Sequence, residues 1–164
     1  MTSARRQRKA GLAATATAAL ILALLGPPQA GAATSERVVT DVLSGLAING
    51  IDPVAYFTHA APLYGSADHE YRYAGTIWRF RNVGDQAAFA ANPDVYMPRY
   101  GGYDPMGLGR GVAVPGNPLV WTMVHEHVYL FYDEGTRDRF LANPDEAIEI
   151  ADEKWPAVLS TLVP

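Results

Sequence analysis

Apolar and polar residues alternate in two segments of the chain, and both segments have the pattern of a β-hairpin. In the first, residues 71–80, aromatic side chains occupy alternate positions on either side of Ala74-Gly75. In the second, residues 120–132, a similar run surrounds His125-Glu126. Alternation with period two places one set of side chains on one face of a strand, and short pairs between two such runs are typical of turns. The pattern therefore predicts two hairpins.

A helix is predicted directly after each hairpin. Asn82 and Asp133 are favourable N-cap residues, and apolar residues recur after them at helical spacing. Both helices are expected to end at an Asn-Pro pair, Asn92-Pro93 or Asn143-Pro144, because proline has no N–H to donate to the preceding turn.

The two hairpin–helix segments match each other position by position. The matching residues are Phe80, Asn82, Gly84, Phe89, Ala91, Asn92, Pro93 and Asp94 in the first, and Phe131, Asp133, Gly135, Phe140, Ala142, Asn143, Pro144 and Asp145 in the second. A constant offset of 51 over these positions indicates one unit used twice, although common turn chemistry alone is the alternative. We expect an α+β fold in which the two hairpins pair into one small antiparallel sheet covered by short helices.

The remaining segments are assigned more simply. Residues 36–46 have apolar positions near helical spacing and are predicted to form a helix. Residues 95–119 form a glycine-rich loop whose length points to a functional or mobile segment. A last helix is expected over residues 144–154, ended by Trp155-Pro156, and the apolar tail 157–163 is expected to pack back on the domain.

The first 32 residues have the layout of a secretory signal peptide. A basic head ending at Lys9 precedes an apolar run of 16 residues, 10–25, and Ala30-Gly31-Ala32 fits a cleavage site. The run is short for a membrane span, so a retained anchor is the less favoured alternative. We expect export to the periplasm or the extracellular space. Arg5-Arg6 leaves both the twin-arginine and the general secretion route open.

Charge and cysteine content narrow the possible functions of the exported chain. Cleavage after Ala32 leaves 9 Lys and Arg against 17 Asp and Glu, a net charge of −8. This charge argues against nucleic acids and anionic membrane surfaces as partners. The chain has no cysteine, so disulfides, thiolate catalysis and thiolate metal sites are excluded.

The chain resembles the YHS-domain proteins of the exported single-domain kind. The matching motifs are Asn49-Gly50-Ile51-Asp52-Pro53-Val54-Ala55-Tyr56-Phe57, Tyr73-x-Gly75-x-x-Trp78-Arg79-Phe80, Ala88-Phe89, Asn92-Pro93, Tyr96, Tyr100-Gly101-Gly102-Tyr103, Trp121-Thr122, Val128-Tyr129-Leu130, Asp152 and Trp155-Pro156. The resemblance spans about residues 45–158. It divides the chain into a signal peptide (1–32), an N-terminal helix or linker (33–47), a YHS-like domain (48–158) and a tail (159–164).

The resemblance implies a small treble-clef-like module. Some relatives serve copper-transport and hydroxylase systems through cysteine ligands, whereas exported single-domain members mostly have no assigned activity. This chain has Ala55, Arg81 and Asp104 where relatives often carry cysteine. The resemblance therefore does not carry a thiolate metal site over to this chain.

Two histidines provide the candidate metal site. His125 and His127 would share a face if both lay in one strand, and Asp104 could add a carboxylate oxygen to bind Zn²⁺ or Cu²⁺. Met106 or Met123 could add a soft ligand for copper. The alternative is that His125 belongs to an exposed turn and both imidazoles are simply solvated.

The segment Tyr100, Gly101, Gly102, Tyr103 and Asp104 is the candidate ligand site. Tyrosine side chains combine apolar area with a hydroxyl, which suits a small-molecule pocket. The alternative is that the tyrosines fill the core between the two units. Arg99 and Arg110 could bind an anion beside the glycine amides, or could be solvated.

The sequence favours a non-catalytic binding module for a small ligand or a divalent metal ion such as Cu or Zn. No nucleophile elbow, phosphate loop or helical zinc motif is present. The alternatives are a cofactor-independent enzyme that uses the central Tyr/Gly/Asp loop, and a purely structural or protein-interaction domain.

Overall fold

Two hairpin–helix units, each followed by a further helix, organise the chain between residues 37 and 162, the part that the computed structural model describes. The strands are β1 (Ser66–Tyr73), β2 (Thr76–Phe80), β3 (Asn117–Val124) and β4 (His127–Phe131), and the helices are α1 (Ala55–Thr58), α2 (Val83–Ala91), α3 (Pro93–Tyr96), α4 (Pro105–Leu108), α5 (Glu134–Ala142) and α6 (Pro144–Leu159). The predicted signal peptide lies outside the described residues.

The two hairpins form as the alternation predicts. β1 pairs with β2 and β3 with β4, and both pairs are antiparallel. The first strand of each hairpin, β1 or β3, has a bulge near its start. The turn residues Ala74-Gly75 have φ of 50° and 82°, and His125-Glu126 have φ of 49° and 60°. Two successive left-handed residues define the turn that matches the twist of a two-residue hairpin.

The predicted caps of the two following helices are confirmed. The Asn82 side chain accepts a hydrogen bond from the Asp85 amide at 2.9 Å, and the Asp133 side chain accepts one from the Thr136 amide at 2.7 Å. Each cap satisfies an amide that has no partner within its helix. The α+β fold with two hairpin–helix units is therefore confirmed.

The hairpins do not join into one sheet, which corrects the expected architecture. They form two separate two-stranded sheets. The edge of β2 that faces away from β1 is occupied by the N-terminal segment. The Ala47 amide donates to the Ile77 carbonyl at 2.9 Å, and Leu46 forms a bridge to the same residue.

The predicted helix over residues 36–46 is also wrong within its described part. The Asp41 carboxylate accepts the Ser44 amide at 2.7 Å, and Gly45 takes a left-handed φ of 68°. Together they make a tight turn instead of a helix. Val42 and Leu43, expected on a buried helical face, lie at its tip and are 89% and 97% exposed.

Two further boundaries differ from expectation. The loop 95–119 contains the end of α3, a 3₁₀ turn (Arg99–Gly102), α4 and the start of β3. Helix α6 does not stop at Trp155 but continues through Pro156 to Leu159. Proline costs this helix one backbone hydrogen bond, and the burial of Val158 and Leu162 against the domain offsets that loss.

Strand β4 joins two hydrophobic cores. Its residues Val128 and Leu130 belong to a first core with Trp78, Phe80 and Phe89. Alternate residues Tyr129 and Phe131 face a second core, which also contains Phe140, Leu108, Ala151 and Val158. Successive side chains of a strand point to opposite faces, so β4 contributes residues to both cores. The two small sheets are therefore buried without pairing with each other.

No helix within residues 37–162 has both the length and the apolar character needed to cross a bilayer.

Candidate functional site

The central Tyr-Gly-Gly segment is the second copy of a turn that opens the first unit. The 3₁₀ turn at Ile48–Gly50 has φ of 40°, 57° and 74°, and Tyr100, Gly101 and Gly102 repeat this with 57°, 64° and 92°. Three consecutive left-handed residues at both places show that the backbone strain belongs to the repeated unit. It is not by itself a sign of chemistry at Tyr100.

Asp52 and Asp104 are equivalent residues with the same structural role. Asp52 accepts hydrogen bonds from the Val54 and Arg81 amides at 2.9 and 2.8 Å. Asp104 accepts them from the Met106 and Tyr132 amides at 2.8 and 2.9 Å. Both side chains are buried, at 0% and 1% exposure. Each carboxylate therefore fixes the start of a short helix to the end of the hairpin in its own unit.

The predicted metal ligands are not gathered by the fold. Asp104 uses one carboxylate oxygen for each of its two amides. His125 lies in the left-handed hairpin turn, is 67% exposed and contacts Asp145 through Nε2 at 2.7 Å. The same-face rule for residues two apart does not apply across this turn. Within residues 37–162 no group of three or more His, Asp or Glu side chains is placed to hold a metal ion.

The pH dependence of stability provides a test of Asp52. Burial raises the pKa of its carboxyl to about 6 from 3.8, Asp85 raises it further, and the two amides lower it. The folded chain therefore holds a proton that the unfolded chain has lost between about pH 4 and 6. The stability contributed by the protonated form is complete below pH 3.8 and is lost as the pH rises through 6.

We expect the free energy of unfolding of the wild type to fall with pH across this window relative to that of Asp52→Asn. Urea unfolding at pH 4, 5, 6 and 7 measures the difference, with the exposed Asp68→Asn as the matched control. A difference between wild type and Asp52→Asn that stays constant with pH would contradict the raised pKa.

A cleft of about 380 Å³ opens beside the second 3₁₀ turn. Its polar wall is formed by Arg37, Asp94, Arg99 and Tyr100, and its backbone floor by Gly101. Gly101 brings the chain close to the N-terminal segment, because the Val39 amide donates to the Gly101 carbonyl at 2.8 Å. A Cβ atom at this position would lie 2.0 Å from the Arg37 carbonyl oxygen, so the wall requires glycine here.

Asp152 on α6 orders the polar wall. Its Oδ1 accepts hydrogen bonds from Arg99 Nη2 and from the Tyr100 hydroxyl, both at 2.9 Å. The Arg99 guanidinium lies 5.3 Å from the centre of the Tyr100 ring, within cation–π range. Burial, followed by the hydrogen bond to Asp152 and its charge, raises the pKa of Tyr100 above its ordinary value. Tyr100 therefore remains a neutral hydrogen-bond donor.

The apolar wall is formed by Met97, Trp155 and Leu159. Trp155 is held in place by aromatic contacts, with ring centres 5.6 Å from Tyr100 and 6.2 Å from Tyr103. A half-buried indole fixed in this way presents a flat apolar surface at low cost in side-chain entropy. The cleft thus combines a fixed aromatic side chain with two arginines.

Comparison of the two units shows that the repeated turn does not require an arginine and a tyrosine. Arg99 and Tyr100 correspond to Ala47 and Ile48 of the first unit, both of which are fully buried. The repeated turn therefore folds with two apolar residues at these positions. The arginine and the tyrosine are additions of the second unit, and both line the cleft.

Only part of the predicted ligand segment reaches the cleft. Tyr100 and Gly101 line it, whereas Gly102 packs against Leu130, and Tyr103 lines a smaller cavity of about 150 Å³ beside Thr40 and Pro115. The sequence did not place Asp152 or Trp155 here, because it ended the last helix before the turn that brings Trp155 over the cleft.

Comparison of the chain with protein-family models, with curated proteins and with solved structures gives no significant match to any of them.

Proposed function

We propose that this chain is an exported, non-catalytic binding module whose ligand is a small molecule held in the cleft beside Tyr100. The YHS-like motifs and the N-terminal signal pattern are the sequence features that support an exported YHS-type domain. The volume of about 380 Å³ falls in the range of ligand pockets in proteins.

The observation that carries this proposal is the contrast between the two units. Where the first unit buries Ala47 and Ile48, the second exposes part of an arginine and orients a tyrosine hydroxyl with Asp152. Burying a polar group costs stability unless it is hydrogen-bonded, and the Nε of Arg99 has no hydrogen-bond partner among the described residues. Binding offers a reason for such an arginine, because a guanidinium that is already oriented loses little freedom when a ligand binds.

Binding is favoured over catalysis by the state of the groups in the cleft. The Tyr100 hydroxyl donates a hydrogen bond to Asp152, and the same carboxylate also pairs with Arg99. A general base acts best when it is not ion-paired, and the Asp152 carboxylate is held as the partner of Arg99.

Blocking the cleft tests the proposal. Titration of the protein with 2-naphthamide, a flat neutral probe, is expected to shift the NMR signals of the Tyr100 and Gly101 amides and of the Trp155 indole. Met97→Trp places a bulky ring in the cleft and is expected to abolish these shifts. Met123→Trp, a residue of β3 that does not line the cleft, is the matched control and is expected to retain them.

The proposal is overturned if neither 2-naphthamide nor 2-naphthoate perturbs the cleft residues of the folded wild type. It is equally overturned if the probe binds Met97→Trp and wild type alike. Thermal unfolding of both tryptophan variants establishes that each one is folded before it is titrated.

A further inference from the structure

We infer that the ligand of this cleft is a monocarboxylate attached to a flat apolar body, an inference that rests on the proposed function. Two arginines and an indole line the same cleft. A carboxylate is the singly charged group whose geometry matches a guanidinium, and an aromatic or similarly flat group matches the indole.

Arg37 provides an uncommitted positive charge at the cleft. Its side chain is exposed and makes no hydrogen bond or ion pair with any residue in the range 37–162. In a chain whose charge from residue 33 onward is −8, the two arginines at the cleft are matched by Asp94 and Asp152, so the cleft lacks the negative excess of the rest of the chain. An anion is therefore repelled less at the cleft than elsewhere on the surface, and Arg37 is available to it.

Arg99 provides a positioned charge with spare hydrogen-bonding capacity. It contacts Asp152 through Nη2 alone, although an arginine can hold a carboxylate through two nitrogens. Its Nε is buried and has no hydrogen-bond partner among the described residues. The side chain is still 36% exposed, so a ligand can reach the guanidinium while Asp152 holds it in place.

The neighbouring acids limit the charge of the ligand. Asp94 lies in the same wall and accepts a hydrogen bond from the Tyr73 hydroxyl at 3.1 Å, and Asp152 lies behind Arg99. The two arginines are matched by these two aspartates, so a phosphate would bring two uncompensated negative charges where a carboxylate brings one. This argues for a carboxylate over a phosphate group.

The apolar wall defines the rest of the ligand. Met97, Trp155 and Leu159 all line the cleft, so it presents three apolar side chains besides the arginines. A small polar acid such as acetate would leave these apolar side chains exposed to water. An uncharged aromatic compound would leave the arginines without an anionic partner. A flat carboxylate uses both walls.

Four probes that differ in one property each test the inference. The dissociation constants of 2-naphthoate, 2-naphthamide, 2-naphthyl phosphate and acetate are measured by calorimetry at a fixed low salt concentration. We expect 2-naphthoate to bind about tenfold more tightly than the amide, and more tightly than the phosphate and acetate. Equal binding of 2-naphthoate and 2-naphthamide, or tighter binding of the phosphate, overturns the inference and leaves the proposed function standing.

Substitution of the two arginines tests whether they bind the carboxylate of the ligand. Arg99→Gln and Arg37→Gln are each expected to weaken 2-naphthoate binding several-fold and to reduce the preference for 2-naphthoate over 2-naphthamide. Arg110→Gln is the matched control, because Arg110 contacts the Met106 carbonyl away from this cleft. Retention of wild-type affinity for 2-naphthoate in both cleft variants overturns the inference. Arg37→Gln removes no contact within residues 37–162, so it keeps the test valid if Arg99→Gln fails to fold.

Discussion

Replacement of Asp104 by alanine is expected to lower the free energy of unfolding by about 2–5 kcal/mol, because two part-buried amides lose their buried acceptor. The affected amides are those of Met106 and Tyr132, which the carboxylate now joins across the second unit. Urea unfolding followed by far-ultraviolet circular dichroism measures the loss. The same substitution at Asp52 is expected to have an effect of similar size, because Asp52 bonds two amides in the same way.

The exposed carboxylate of Asp68 is the control for both variants, and Asp68→Ala is expected to change stability by less than about 0.5 kcal/mol. A folded Asp104→Ala protein with wild-type stability would show that the carboxylate does not hold the unit together. The metal hypothesis for Asp104 would then deserve a direct measurement of zinc and copper affinity.

Replacement of Phe89 by alanine is expected to cost about 3–5 kcal/mol, the range for deleting a buried phenylalanine. Phe89 is fully buried, and its ring centre lies 5.0 Å from that of Trp78 and 5.2 Å from that of Phe80. Its loss leaves a cavity that these large rings cannot fill by small movements. Chemical denaturation measures the change.

Val83→Ala on the same helix is the matched control, because Val83 is 68% exposed and its truncation opens no cavity. Its expected effect is within about 0.5 kcal/mol of zero. If Phe89→Ala proved as mild as this control, the first core would not depend on the aromatic contacts of α2.

The hairpins and the helices that follow them could be predicted because their signals are local. Alternating aromatics set the strands, Asn82 and Asp133 set the helix starts, and the two-residue turns need no distant partner. The helix expected over 36–46 failed for the opposite reason. Its apolar spacing was helical, but hydrogen bonds from Val39 to Gly101, and from the next residue after the segment, Ala47, to Ile77, fix it as irregular chain.

The equivalence of Asp52 and Asp104 was present in the sequence but was hidden by one residue. The hairpins match at an offset of 51, whereas the turns before them match at 52. The extra residue of the first unit lies between Pro53 and Gly65, in the loop that leads to β1. A comparison that allows one insertion pairs the two aspartates and predicts a structural role for Asp104.

The cleft itself was beyond local prediction. Its walls come from residues separated by more than a hundred positions, Arg37 and Trp155 among them. Proline at 156 signals a helix end, and only the packing of the last turn on the second core overrides that signal. The sequence therefore identified Tyr100 as a candidate without the side chains that face it.

The position of β4 between the two cores has a consequence for the order of folding. The half of the chain made first contains Trp78, Phe80 and Phe89, but its core also requires Val128 and Leu130. That core cannot close until residue 130 has been synthesised, so the first half has no completed state of its own. Although the chain repeats one unit, we expect it to unfold in a single cooperative transition, without an intermediate in which one unit stays native.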